Sequence, residues 1–112
     1  MQRRYRLTRS EDFERMRTYG RGVSHRYMVL NTAPNALDYN RYGFIVSKRL
    51  GKAVVRNRVK RLLREAVRLQ HSHLKHGFDV VIVARMPVVG QPFEVVFRTV
   101  SDLFRQAGIV DV

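Results

Sequence analysis

The chain has 112 residues, enough for one domain with a single core, and its 45% hydrophobic and 28% charged composition excludes a disordered tail. Its 22 Lys+Arg against 9 Asp+Glu give a formal net charge of +13, which makes a polyanion the expected partner. The absence of cysteine excludes a disulfide scaffold and thiolate metal sites. No apolar run approaches the ~20 residues of a membrane span, and the opening MQRRYRLTRS lacks the apolar middle of a signal peptide, so a cytoplasmic protein with no membrane partner is expected. Eighteen of the 22 cations are arginine, whose planar fork grips phosphate at two points and stacks on bases; nucleic acid is favoured over a diffuse anionic surface.

In chain order, residues 1–9 place Arg3, Arg4, Arg6 and Arg9 around Tyr5 with too little apolar periodicity to fix a structure, and read as a basic arm. Ser10 offers an N-cap, Glu11 and Asp12 suit the positive end of a helix, and Phe13 and Met16 follow at helical spacing until Gly20 stops a short first helix. The stretch VSHRYMVLNT, 23–32, alternates and is rich in strand formers. After the turn chemistry of NTAPNALDYNR, a second strand is expected at YGFIVS, 42–47, and the two read as an antiparallel hairpin. One register of the first strand carries Tyr27, Val29 and Asn31, the other Ser24, Arg26, Met28 and Leu30; the pattern leaves open which faces out.

Val55, Val59, Leu62, Leu63, Ala66 and Val67 recur at helical spacing, which predicts a helix from about residue 54 to 73 or beyond. FDVVIVAR, 78–85, is nearly all apolar and β-branched and reads as a central strand covered on both faces. After MPVVGQP, the residues Phe93, Val96, Phe97, Val100, Leu103, Phe104 and Ala107 form one apolar stripe of a last helix closed by Gly108. The order α-β-β-α-β-α implies a single domain over 1–112, one small sheet with helices mainly on one face and the other face left open.

The long helix carries the strongest functional signal. Projected at 100° per residue, Arg56, Asn57, Lys60, Arg61, Arg64 and Arg68 fall opposite the apolar arc, and Arg58 lies at its far margin. Nine cations stand between Lys48 and Arg68 with Glu65 as the sole acid. An ordinary solvated face mixes signs so that i,i+4 pairs stabilise it, and cations at a helix start oppose its dipole, so this face reads as polyanion-binding. Arg56 and Arg58 flank Asn57 as a fork able to grip RNA from two sides. A membrane-surface helix would carry aromatic anchors, which the Val/Leu/Ala arc lacks.

Other chemistry is not supported. His71 and His73 in HSHLKH point to different sides of a helix with no carboxylate nearby, so no metal site is expected and they read as surface residues near a helix end. There is no paired-carboxylate, Ser/His/Asp or phosphate-loop pattern, hence no protein catalytic residue. Phe13, Tyr19, Tyr27, Tyr42 and Phe44 are candidate platforms for stacking single-stranded bases; an aromatic at a periodic position is more often core than platform, and Phe13 leads the five.

The residues SKRLGKAVVRNRVKRLLREAVR, 47–68, closely resemble the signature of the bacterial ribonuclease P protein family, with its Arg-Asn-Arg triplet leading into a basic helix. RYRLTRSEDFERM, HRYMVL, YGFIVSKRLG and DVVIVAR match flanking elements in order and spacing. The resemblance implies an α/β (α+β) two-layer sandwich of a small mixed four-stranded sheet and about three helices, in the order α-β-β-(β)-α-β-α. It also implies the left-handed βαβ crossover of a ribosomal-protein-like fold, where pattern alone would suggest a right-handed one. The implied function is that of an RNA-binding subunit of a tRNA-processing ribonucleoprotein, an endoribonuclease. Its catalytic RNA removes the 5′ leader of precursor tRNA using RNA-bound Mg2+, with no protein-bound cofactor and no protein partner required.

By the resemblance, Lys48, Arg49, Lys52, Arg56, Asn57, Arg58, Lys60, Arg61, Arg64 and Arg68 face the catalytic RNA. A cleft between the first helix and the open sheet face takes the single-stranded leader, with Phe13, Arg17, Asn31 and Arg85 as its expected contacts. Arg17 and Asn31 stand where the family often has aromatics, which shifts the expected leader contacts from stacking toward charge and hydrogen bonding. The alternative, a structural ribosomal-type RNA binder, shares the charge and fold but needs no open cleft.

Overall fold

The computed structural model describes residues 3–111, apart from the side chains of Arg3, Thr18 and Tyr19. Three helices, α1 (Ser10–Tyr19), α2 (Ala53–Gln70) and α3 (Phe93–Gln106), accompany four strands, β1 (Arg21–Ser24), β2 (Met28–Pro34), β3 (Arg41–Ile45) and β4 (Phe78–Ala84). The strands form one mixed sheet in the order β1-β2-β4-β3, with β3 parallel to β4 and the other pairs antiparallel. This is the mixed α/β class expected from the sequence.

Two local expectations are corrected. The stretch 23–32 is not one strand: the chain turns at 25–27, where the His25 amide donates to the Met28 carbonyl at 2.9 Å, and β1 folds back on β2. Nor do β2 and β3 form a hairpin, because β4 lies between them and pairs with both. The reason is burial. Val80, Val81 and Ile82 are almost wholly buried, so the most apolar strand takes the centre, where both of its edges and most of both faces are covered.

Period-two alternation then divides the sheet's faces. Met28 and Leu30 of β2, Tyr42 of β3, and Val80, Ile82 and Ala84 of β4 pack in one cluster with Val59, Leu63, Ala66 and Val67 of α2 and Val96, Val100, Leu103 and Phe104 of α3. Burying such a set stabilises the fold by roughly 1.5–3 kcal/mol per large side chain. Val81 and Ala33 face the other way and form a smaller cluster with Met16 and Leu7, against which Phe13 and Val83 pack. Met28 and Leu30 therefore point to the core, and Val29 and Asn31 belong to the opposite face.

Helix α1 covers only part of that second face. It starts one residue earlier than a Ser10 cap implies: Arg9 holds the N-cap position without a side-chain bond, and its carbonyl accepts from the Asp12 and Phe13 amides. Gly20 ends it, where a Cβ would stand 2.2 Å from the Met16 carbonyl oxygen. Asp12 bonds more than the helix dipole. Arg41 donates to Asp12 (3.1 and 3.3 Å) and to Asp79 (2.8 and 2.9 Å), and Asn35 donates to the same Asp79 at 3.0 Å. The Asp79 side chain is 3% exposed. Its hydrogen bonds and charge hold the Arg41 guanidinium still more firmly protonated, against burial that works the other way.

The basic arm is anchored where it is described. Arg3–Tyr5 make one 3-10 turn, Arg6 bridges to Tyr42, and the Leu7 amide donates to the Tyr42 carbonyl at 2.8 Å, so the arm extends the β3 edge. Tyr5 packs on His71 (ring centroids 4.9 Å), and the Tyr42 hydroxyl lies 2.8 Å from His71 Nδ1. His71 is thus a partly buried bracket rather than a surface cation. Burial, with the nearby His76 charge, pushes its pKa down, and burial pushes Tyr42 up to about 12.

Two outcomes follow from these contacts. Arg41→Ala leaves Asp79 buried without its cation and should cost about 3–5 kcal/mol by chemical denaturation. For His71, the unfolded chain binds a proton at a higher pH than the folded one. Its neutral form therefore contributes stability above the ordinary value of 6.5, lost as pH falls through the depressed folded pKa. Thermal melts of wild type should drop across that window more steeply than those of His71→Phe.

Candidate nucleic-acid interface

The uncovered part of the second sheet face and the edge of α1 enclose a cleft of about 310 Å³. Phe13, Met16, Arg17 and Gly20 line it from the helix side, and Asn31, Ile45, Val81 and Val83 from the sheet. Phe13 reaches the sheet because Gly43 has no side chain: a Cβ there would lie 3.1 Å from the Phe13 ring and 3.3 Å from Leu7 Cβ. Asn31 stands opposite Gly22, whose missing Cβ leaves room for the Asn31 amide oxygen. The floor is aliphatic, with Ile45 42% exposed, and the polar groups sit at the margins. Arg17 bonds Glu14 at 3.2 Å on the exposed rim.

Of the four leader candidates, the structure brings Phe13, Arg17 and Asn31 into one cleft and leaves Arg85 outside its lining. Arg85 follows the end of β4, where its guanidinium donates to the His25 carbonyl at 3.2 Å beside Tyr27. Among the other aromatics, Tyr42 is core, and Tyr27 and Phe44 pack against the core. The Tyr19 side chain is outside the described residues. Sequence reasoning missed Ile45 and Val83 as floor residues, although strict alternation in YGFIVS already set Gly43 and Ile45 opposite Tyr42, Phe44 and Val46.

The second surface is α2 and its approach. Lys48–Leu50 form a 3-10 turn and Gly51 takes φ 134°, a left-handed-region value that redirects the chain into the helix. Lys48, Arg49, Lys52, Asn57, Arg58, Arg61, Arg64 and Arg68 are exposed; Arg56 and Lys60 are half-buried, and Arg56 Nε donates to the Gly51 carbonyl at 3.2 Å. No acid occupies the first turn of α2. Glu65 bonds Arg68 at 2.9 Å, which lowers its pKa, so the face's lone carboxylate is already matched.

The cations of α2 other than Arg56 line two grooves, with Arg64 shared between them. Arg58, Arg61, Arg64 and Arg68 line one with Leu62, Glu65 and Phe93 of α3, about 520 Å³ in volume. Lys60 and Arg64 line the other with Arg6, Thr8 and Phe44, about 190 Å³. Arg58 stands on the α3 side, as its place at the margin of the apolar arc implied. Among the described residues, no three His, Asp or Glu side chains could hold a metal ion, and no helix is long and apolar enough to cross a membrane.

A mixed sheet packed by two helices on one face and notched by a third on the other, with a helix face of unopposed cations, defines a small α/β polyanion-binding protein. The family model described as Ribonuclease P matches residues 1–108. The chain is 40% identical to the ribonuclease P protein component of Caldanaerobacter subterraneus subsp. tengcongensis over 105 residues, 94% of this chain and 90% of that one. It is 44% identical to that of Roseiflexus castenholzii over 111 residues, 98% and 91% of the two chains. Among solved structures, the RNase P protein of Staphylococcus aureus superposes with a TM-score of 0.88 at 32% identity, covering 95% of this chain and 97% of that one. That of Thermotoga maritima gives 0.83 at 30% identity, covering 90% and 96%. The chain belongs to the ribonuclease P protein family, the protein component of that tRNA-processing ribonucleoprotein.

The close approach at Gly43 can be tested directly. Gly43→Val supplies a residue favoured in strands, so any loss reports the clash with Phe13 and Leu7; a cost of about 1–3 kcal/mol is expected in denaturant titration.

Proposed function

We propose that the protein binds the ribonuclease P catalytic RNA through the exposed face of α2 and its approach, Lys48 to Arg68, and holds the single-stranded 5′ leader of precursor tRNA in the cleft between α1 and the sheet. The observation that carries this reading is the separation of two unlike surfaces on one small body. One is a convex helix face whose cations, Arg68 apart, lack counter-acids among the described residues, suited to a folded RNA's phosphates; the other is a narrow concave trench with an aliphatic floor, suited to one strand. The chemistry is that of magnesium bound to the RNA, and the protein acts in the cytoplasm by positioning. Arg17 and Asn31 would engage the leader by charge and by the amide's paired donor and acceptor, with Phe13 as the stacking surface.

Reconstitution tests the reading. Mixed with a bacterial ribonuclease P RNA at low magnesium, the protein should restore cleavage of precursor tRNA and favour precursor over mature tRNA, with both effects falling steeply as salt rises. Equal affinity for precursor and mature tRNA in the reconstituted complex would remove the leader clamp. Arg56→Ala and Arg58→Ala should each weaken binding of the catalytic RNA by about 1–3 kcal/mol and leave the circular dichroism of the free protein unchanged.

A further inference from the structure

The groove between α2 and α3 is unlike the rest of the cationic face. Its rim carries Arg58, Arg61 and Arg68, and its floor is Leu62 of α2 and the half-buried ring of Phe93 at the first position of α3. Arg68 is matched to Glu65, while Arg58 and Arg61 have no acidic partner among the described residues. Phe93 leans on Phe97 with ring centroids 5.9 Å apart and planes at 49°, which props the ring at the groove wall. The groove is open to solvent and about 520 Å³ in volume, room for a planar group laid against its floor.

A phosphate track alone needs cations and leaves an apolar floor uncovered; a neutral or basic peptide would not match unpaired arginines on a chain of net charge +13, and the family's partner is an RNA. An unpaired nucleotide satisfies both parts, with its base against Phe93 and Leu62 and its phosphates on Arg58 and Arg61. Resting on the RNA-binding reading above, we infer that the α2–α3 groove is a pocket for one extruded, unpaired nucleotide of the RNA partner, stacked on Phe93. Phe93 then acts as an RNA contact in addition to supporting the core, and Arg58 faces a different part of the RNA from Lys60.

The chain has no tryptophan, so Phe93→Trp introduces a single indole at the proposed stacking position. On titration with a bacterial ribonuclease P RNA, that variant should keep the wild-type affinity within about twofold and lose much of its indole emission as the base stacks on it. Phe93→Leu keeps an apolar floor without a stacking face and should bind about tenfold more weakly, with thermal melting close to wild type. Wild-type affinity in Phe93→Leu, or indole emission unmoved by saturating RNA, overturns the pocket while the wider RNA-binding reading stands. Failure of the wild-type protein to bind the RNA removes both. Should Phe93→Leu unfold, the indole emission of Phe93→Trp decides alone.

Discussion

The bridge from Arg41 to Asp12 and Asp79 decides where α1 lies, and with it whether the second sheet face is closed or notched. One guanidinium at the start of β3 joins a carboxylate of α1 to a carboxylate of β4, with the Asp79 side chain 3% exposed and that of Arg41 17%. A buried carboxylate and a partly buried one sharing one arginine are tolerable because every partner is hydrogen bonded, including Asn35 on Asp79. Such a bridge contributes position more than net stability. Arg15, whose guanidinium donates to the Pro34 carbonyl at 2.6 Å, adds a second fastening at the same end of the sheet. Helix α1 is thereby held over the rows near Asp79 and Val81, leaving Ile45 exposed and Val83 and Val29 half-buried. The cleft is what is left when a ten-residue helix is pinned to one end of a sheet.

Helix α2 solves a different problem. Cations in its first turn oppose the helix dipole and repel one another, each at a cost of a few tenths of a kcal/mol. Val59, Leu63, Ala66 and Val67, all at 2% exposure or less, outweigh this by burial against the sheet and α3. The apolar arc fixes the helix and the opposite arc is released from any structural duty, which is why nearly every polar position there can be a cation. Removing charge from that face would ease the helix, so a run of cations there points to a polyanion rather than to folding.

Much of this was legible in the sequence. The helices and the central strand followed from periodicity and β-branched content, and the cationic face followed from projecting α2. The pairing of the strands was not, because a turn sequence such as NTAPNALDYNR specifies that the chain reverses, not which neighbour its ends meet. Burial of β4 settled the pairing, and burial is a property of the whole fold. Asp79 was the available clue to the bridge: a lone acid in the apolar run FDVVIVAR requires a cation, and Arg41 opens β3, the edge strand that pairs with β4. His71 was misread for the complementary reason. Its place at the helix end was right but read as surface, while its environment is set by Tyr5 and Tyr42, distant in sequence.

The same topology explains why the α2–α3 groove could not be foreseen. Strands β3 and β4 are parallel neighbours, so the connections leaving their C-terminal ends emerge at the same end of the sheet. Helix α2 starts after β3 and α3 starts after β4, so both cross the same sheet face, and the start of α3 meets the middle of α2, which puts Phe93 in one groove with Arg58 although 35 positions separate them. A heptad or period count sees Phe93 only as the first residue of an apolar stripe. Parallel pairing turns that residue into the wall of a basic groove. In this protein the fold's one parallel connection therefore adds a flat apolar surface to a helix face that would otherwise recognise charge alone.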